Sequence, residues 1–281
     1  MHEGEVLTSA IDEAEFNGEF EMVEYALVNC ENTNNEDGRT KLHNASDYGC
    51  IKAISTLIQK GYNVNAITDE KHRTPLHMAK NREVVKLLLD HGAAVNMQDY
   101  KGNTALHIAL EKLSGKYFHN DQEAQINIIS FFLSRDGLDL GIKNENGQTV
   151  LQMATELSFK NEICAKVVKI LLNLGADVNV QDNEGMTALH IALRDLEILL
   201  SRNHQYYSEE DAKIHVGIIS LLLTRDGVDL SIKNNKGQTA LQMAIELSFK
   251  HELCAKIARK IAKMTTKSRI TDSIYPLKQF L

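Results

Sequence analysis

The chain has 281 residues, 43% hydrophobic and 25% charged, with a formal net charge of −7, an ordinary soluble globular composition. Its pI of about 5.9 argues against a nucleic-acid footprint, and no 18-residue apolar run is present to span a membrane. Four cysteines at 30, 50, 164 and 254, with no C-x-x-C, read as reduced thiols in a cytosolic-type compartment.

Met1-His2-Glu3-Gly4-Glu5 lacks a charged-then-apolar leader, so no secretory signal is expected. Residues 5 to 29 alternate two helical faces, Leu7, Ala10, Ile11 and Ala14, then Met22, Val23, Ala26 and Leu27. A short phrase, T-x-L-[HQ]-x-A, then occurs six times. It begins at Thr40, Thr74, Thr104, Thr149, Thr187 and Thr239, usually with Gly two residues earlier. A fixed phrase at recurring intervals marks a repeat array. Each Thr suits a helix N-cap. Gly61, Gly92, Gly137, Gly175 and Gly227 follow leucine-rich segments, where a left-handed helix end is expected. Gly38, Gly102, Gly147, Gly185 and Gly237 fall in hairpin turns needing positive φ. His72 replaces that Gly in the second hairpin, which predicts a distorted or shorter tip. After the sixth phrase comes a basic helix over about 251 to 263, then a polar tail.

The phrase resembles the ankyrin repeat, G-x-T-P-L-H-x-A, and Thr74-Pro75-Leu76-His77 matches its core in full. The other copies lose Pro, and Gln152 and Gln242 replace His. Val84 to Asn96 and Val167 to Asn179 resemble the family's second helix and turn. The resemblance covers about residues 37 to 263 and implies an all-α ankyrin-repeat solenoid of helix-turn-helix units joined by hairpin loops. Residues 1 to 36 are read as an N-terminal capping repeat, 37 to 263 as six repeats, and 264 to 281 as a C-terminal tail.

The intervals between Thr marks are 34, 30, 45, 38 and 52, against a family period of about 33. The second unit therefore reads as trimmed in its helix–helix turn. The later ones read as expanded there, over Leu113 to Asp121, Leu157 to Asn161, Leu196 to Asp211 and Leu247 to His251. These segments carry Tyr117, Phe118, His119, Phe159, Tyr206, Tyr207 and Phe249. A duplication lies over the repeat: residues 126 to 166 and 216 to 256 share 28 of 41 positions. Charge is uneven, with eleven acids and no Lys or Arg over 1 to 37, and eight Lys or Arg against two acids over 250 to 281. Solvated caps explain that pattern; so does an electrostatic docking end.

The sequence carries no G-x-G-x-x-G, Walker or G-x-S-x-G signature, so no enzyme, catalytic residue or cofactor is expected. His251-Glu252 begins like H-E-x-x-H but has Ala255 at the second His position, and no metal site is expected. His43, His77, His107 and His190 occur once per repeat, and in the family this residue ties the Thr to the hairpin. Cys164 and Cys254 read as buried small residues.

The resemblance implies a non-enzymatic module that binds another protein, with hairpin tips and first helices forming a concave face. The matching positions are Tyr48, Arg73, Tyr100, Lys101, Asn103, Glu111, Glu145, Asn146, Gln148, Asn183, Glu184, Met186, Arg194, Asn235, Lys236 and Gln238. Tyr and Arg are common hot spots. The alternative is a regulatory or targeting subunit of an enzyme on another chain, binding through the inserted aromatic loops or the basic C-terminal end. A monomer without small-molecule substrate is expected. The irregular, duplicated array resembles effectors of intracellular bacteria and some viruses, which implies a cytoplasmic location, the host's if it is an effector.

Overall fold

The computed structural model describes residues 25, 27–29, 38–113, 122–158, 162–201, 209–249 and 252–274. Most of the expected N-terminal cap, the aromatic residues from Tyr117 to His119, Phe159, Tyr206, Tyr207 and the strip 275–281 lie outside them. Contacts divide the chain into two compact units, Met1–Glu145 and Asn146–Leu281.

The first unit holds three helix pairs: α1 (Lys41–Tyr48) with α2 (Ile51–Gln59), α3 (Pro75–Met78) with α4 (Arg82–Asp90), and α5 (Ala105–Leu113) with α6 (Gln122–Leu133). Tyr25 and 27–29 are helical, and Leu27 is fully buried. The second unit holds α7 (Val150–Leu157) with α8 (Glu162–Asn173), α9 (Ala188–Ser201) with α10 (Glu209–Leu223), and α11 (Ala240–Ser248) with α12 (Glu252–Ile274). First helices pack on first helices, α1–α3–α5 in one unit and α7–α9–α11 in the other. Second helices form an outer row, α2–α4–α6 and α8–α10. The core between the rows is mostly aliphatic, with Phe132 added in the first unit: Leu42, Ile54, Leu57 and Leu88 are buried there, and Leu151, Leu171 and Ile191 in the second. Burying such chains is the dominant favourable contribution.

Local chemistry sets the helix ends. In α1, His43 accepts at Nδ1 from the Thr40 N–H at 3.1 Å and lies 2.9 Å from its hydroxyl. The reciprocal arrangement is a capping box with His in the usual Glu position. At the far end of α2, Gly61 takes φ +87 and the Tyr62 N–H reaches Leu57 C=O at 3.1 Å, satisfying a carbonyl the helix leaves open.

Four expectations need correction. The second hairpin is distorted, as expected, but it is longer and not shorter. It closes with Thr68 N–H to Arg73 C=O, one residue wider than Asp99 to Asn103 in the next hairpin. His72 takes the left-handed place at φ +47, and the extra residue accommodates it. The second pair's missing residues come from its first helix, since α3 has four residues where α1 has eight. Asn81 then restarts the chain by accepting from the Val84 N–H at 3.0 Å. The insertion after Leu196 is partly helix, because α9 continues to Ser201 and α10 begins at Glu209. The basic last helix also runs on to Ile274, past the expected end near 263.

Cys50, Cys164 and Cys254 are buried free thiols. Burial pushes Cys164 up to about 12 and Cys254 up to about 11, so both stay protonated at neutral pH. No described helix is long and apolar enough to cross a membrane.

Candidate interaction surface

The hairpin tips are built by one polar residue ahead of each turn. Asp99 accepts at Oδ1 from the N–H groups of Lys101 and Asn103, both at 2.9 Å. Asp182 does the same for Glu184 and Met186, and Asn234 for Lys236 and Gln238. These organisers were missed in the sequence, although an Asp or Asn five residues before Thr104, Thr187 and Thr239 was there to find.

Successive tips are joined through the backbone. Tyr100 N–H donates to Lys71 C=O at 3.0 Å, and Glu145 N–H donates to Lys101 C=O. In the second unit Asn183 N–H donates to Asn146 C=O at 3.0 Å, and Asn235 N–H to Glu184 C=O at 2.9 Å. With the main chain held this way, the intervening side chains project from a rigid support.

The repeated histidines work beneath the tips. His43 Nδ1 accepts from a backbone N–H, so its Nε2 carries the proton and donates to Arg73 C=O at 2.8 Å. His77 and His190 repeat the bond to Asn103 C=O and Gln238 C=O, at 3.0 and 3.2 Å. Gln152 plays the same part in α7. Its Oε1 accepts from Thr149 N–H, and its Nε2 donates to Met186 C=O at 2.7 Å. Burial lowers the pKa of His43, His77 and His190, partly opposed by these carbonyls. Both ring nitrogens of the three are committed to hydrogen bonds, which leaves them no free lone pair for a metal or a substrate proton.

The sixteen expected contact residues separate into groups. Tyr100 is 52% exposed, and Glu111, Glu145, Asn146, Asn183, Glu184, Asn235 and Lys236 are also open to solvent. Lys101 is half-buried, 3.5 Å from Glu145 and 5.6 Å from the Tyr100 ring centre. Glu145 and then Tyr100 raise the Lys101 pKa. Tyr48, Arg73, Arg194 and Gln238 are half-buried, with Arg73 at 3.5 Å from buried Asp99. Asn103, Gln148 and Met186 are buried. Asn103 closes its own turn and receives His77, while Gln148 donates to Glu156 at 2.7 Å. They shape the surface and do not project from it.

In the second unit the surface is hollowed. A groove of about 490 Å³ lies between α9, α11 and the tips at 184–186 and 234–238. Glu197, Met243 and Leu247 line it beside the expected residues. Those three read as ordinary helix positions, and only the packing of α9 on α11 brings them to one hollow. Arg194 lies within it, bound to Asp195 at 3.1 Å and facing Glu156 at 3.5 Å.

Two family models match the chain, one described as ankyrin repeats (3 copies) over residues 62–119 and 119–208, the other as ankyrin repeats (many copies) over 42–81. The phosphocholine transferase AnkX of Legionella pneumophila is 28% identical over 246 residues, 76% of this chain and 24% of AnkX. Human B-cell lymphoma 3 protein is 31% identical over 231 residues, 74% of this chain and 48% of its own length. The chain thus spans about a quarter of the first relative and about half of the second. Among solved structures, EF0377, an ankyrin repeat protein, superposes with a TM-score of 0.57 at 26% identity, covering 79% of this chain and 96% of that one. An ankyrin repeat domain from Acinetobacter baumannii gives 0.59 at 23% identity, covering 79% and 95%.

Proposed function

This chain belongs to the ankyrin-repeat family, and from that premise we propose that it is a non-enzymatic module that binds a partner protein through its hairpin tips and concave face. The observation that carries the reading is the backbone ladder of tips. Tyr100 and Glu145 in the first unit, and Asn183 and Asn235 in the second, each donate to the preceding tip, so each unit presents its own preorganised run of polar side chains. Rigid support lowers the ordering entropy of binding. Tyr100 is the large exposed aromatic of the first unit's run, with Lys101 and Glu145 beside it. An exposed aromatic flanked by charge is a common anchor.

In this reading residues 37–263 are the binding array, 1–36 cap it, and 264–281 form its C-terminal end. A cytoplasmic location fits the buried thiols, and host cytosol is the corresponding place if the chain acts as an effector. A whole-protein role like that of AnkX is not carried over, because the match leaves three quarters of AnkX uncovered.

The test is crosslinked capture from cytosolic lysate with the intact chain and with Tyr100→Ala/Lys101→Ala. A partner whose crosslinks map to the tips, and whose recovery drops at least tenfold in the variant, supports the reading. Crosslinks confined to Lys116 or Lys213, with full recovery in the variant, would move binding to the inserted segments and favour the targeting-subunit alternative.

A further inference from the structure

We propose that the groove of the second unit is a docking site for a basic–apolar peptide segment of a partner protein, with an arginine or lysine as its anchor. The proposal rests on the concave-face reading above and names the chemistry that one part of that face selects.

The groove has a floor and a rim of different character. Met186, Met243 and Leu247 form the floor. Met243 and Leu247 lie one turn apart on α11, and Met186 sits at the foot of the tip that Asp182 shapes. Two thioethers give a floor that adapts to an unbranched aliphatic stem better than branched side chains would. The rim carries Glu184, Glu197 and Glu246, with Lys236 on one lip.

Charge decides the occupant. Arg194 is already held by Asp195 at 3.1 Å and Glu156 at 3.5 Å. Among the groove's own lining residues that leaves Glu184, Glu197 and Glu246 beside Lys236, so acids predominate at the rim. Lys236, Glu184 and Glu246 are all exposed, so solvent screens the three alike and the rim keeps its acidic sign. Glu246 is aimed by Gln238, whose Nε2 donates to both carboxylate oxygens at 3.0 Å. Such a donor fixes a carboxylate in place and leaves its outer lone pairs for a second donor. A guanidinium or ammonium at the rim, its methylene stem along the methionines, meets both halves of the site. A volume of about 490 Å³ holds a side chain and its apolar neighbour, in the lower part of the usual range for ligand pockets.

The site is particular to this repeat. Glu246 has a copy at Glu156, but Arg194, Asp195 and Glu197 stand where the sequence of the third repeat has Glu111, Lys112 and Ser114. The copied block therefore supplied one wall, and the α9 sequence supplied the other.

The test uses the full chain with 13C-methyl methionine, Met186 and Met243 being assigned by Met186→Leu and Met243→Leu. The probe is the peptide acetyl-Gly-Leu-Arg-Leu-Gly-amide. Controls replace its Arg by citrulline, a neutral isostere, or by Glu. Saturable shifts confined to the Met186 and Met243 methyls are expected, with affinity at least about tenfold weaker for citrulline and no saturation for Glu. Glu184→Gln/Glu246→Gln should weaken the Arg peptide by about tenfold or more, with an unchanged thermal melt showing that the fold is intact. Unmoved methyls, equal response to the Glu peptide, or an unaffected double variant would overturn the proposal. So would methyl shifts that follow protein concentration without peptide, which would make a second copy of this chain the occupant. If the groove fails but captured partners still crosslink at Tyr100 and Lys101, the broader interaction reading survives.

Discussion

Helices α7 and α11 carry nearly the same sequence, VLQMATEL and ALQMAIEL, yet they live in different surroundings. Leu151 and Gln152 on α7 are each 1% exposed, as is Thr155. Their copies on α11 are not: Leu241 is half-buried, Gln242 is exposed, and Ile245 is 41% exposed. The difference lies in the neighbour. Helix α7 has α9 and the hairpin at 180–186 packed on it, whereas α11 has α9 on one side and no following first helix among the described residues. In a stack of repeats, burial is a property of the interface and not of the sequence alone.

That contrast gives matched substitutions. The largest effect should be Leu151→Ala, which leaves a cavity in a closed interface and should lower unfolding stability by about 3 kcal/mol, within the range for buried leucines. Leu241→Ala should lower it by about 1 kcal/mol or less, because part of its surface already faces water. Urea unfolding of both variants decides the matter, and equal losses would break the comparison. Next comes Gln152→Ala. It strips donors from Met186 C=O and Val180 C=O and an acceptor from Thr149 N–H, at a combined loss of about 2 kcal/mol. Gln242→Ala removes the cap to Thr239 and should lose under about 1 kcal/mol.

A third pair isolates backbone strain from crowding. Gly147 and Gly237 have nearly equal φ, +72 and +75. A Cβ on Gly147 would sit 2.4 Å from Asn183 Oδ1 and 2.7 Å from its backbone N, while one on Gly237 meets nothing within 4 Å. Gly237→Ala should therefore cost only the left-handed penalty, about 1 kcal/mol. Gly147→Ala should cost that and also disturb the Asn183–Asn146 rung of the tip ladder. Hydrogen exchange at the Asn183 amide should accelerate in the second variant alone.

The repeat phrase made much of this legible. Thr caps, left-handed glycines and the structural histidines follow from the side chain's own chemistry at fixed offsets, so the sequence states them directly. For the second hairpin, His at a glycine position announced the distortion, but its form, one added residue, comes from a backbone choice that no single residue announces. The groove was only half visible. Glu184, Lys236 and Gln238 fall at tip positions, but Glu197, Met243 and Leu247 read as one helix face each. Whether two faces enclose a hollow depends on how α9 and α11 pack, and that is a tertiary property. Asn103, Gln148 and Met186 were expected to project because they flank turn glycines; the Asp99 and Asp182 brackets turn Asn103 and Met186 inward.

The smallest effect concerns the two chemistries that fill one role, Gln152 in α7 and His77 in α3. Burial lowers the His77 pKa, with Asn103 C=O and Asp99 pulling it up and Arg73 pushing it down. The native ring therefore stays neutral below pH 6.5, where the unfolded chain takes up a proton. The unfolded state binds more protons in that window, so stability is complete above about pH 6.5 and falls as pH drops from there toward the lowered native value. His43 and His190 act in the same direction. Glutamine does not titrate, and Gln152 makes the same pair of bonds. His77→Gln should thus change urea stability at pH 7.5 by less than about 1 kcal/mol. Between pH 7.5 and 5.5 it should lose less stability than the native chain, because glutamine takes up no proton in the unfolded state. Parallel curves for the two proteins would mean that His77 titrates as it does in the unfolded chain, and the equivalence of His and Gln beneath the hairpins would then be steric only.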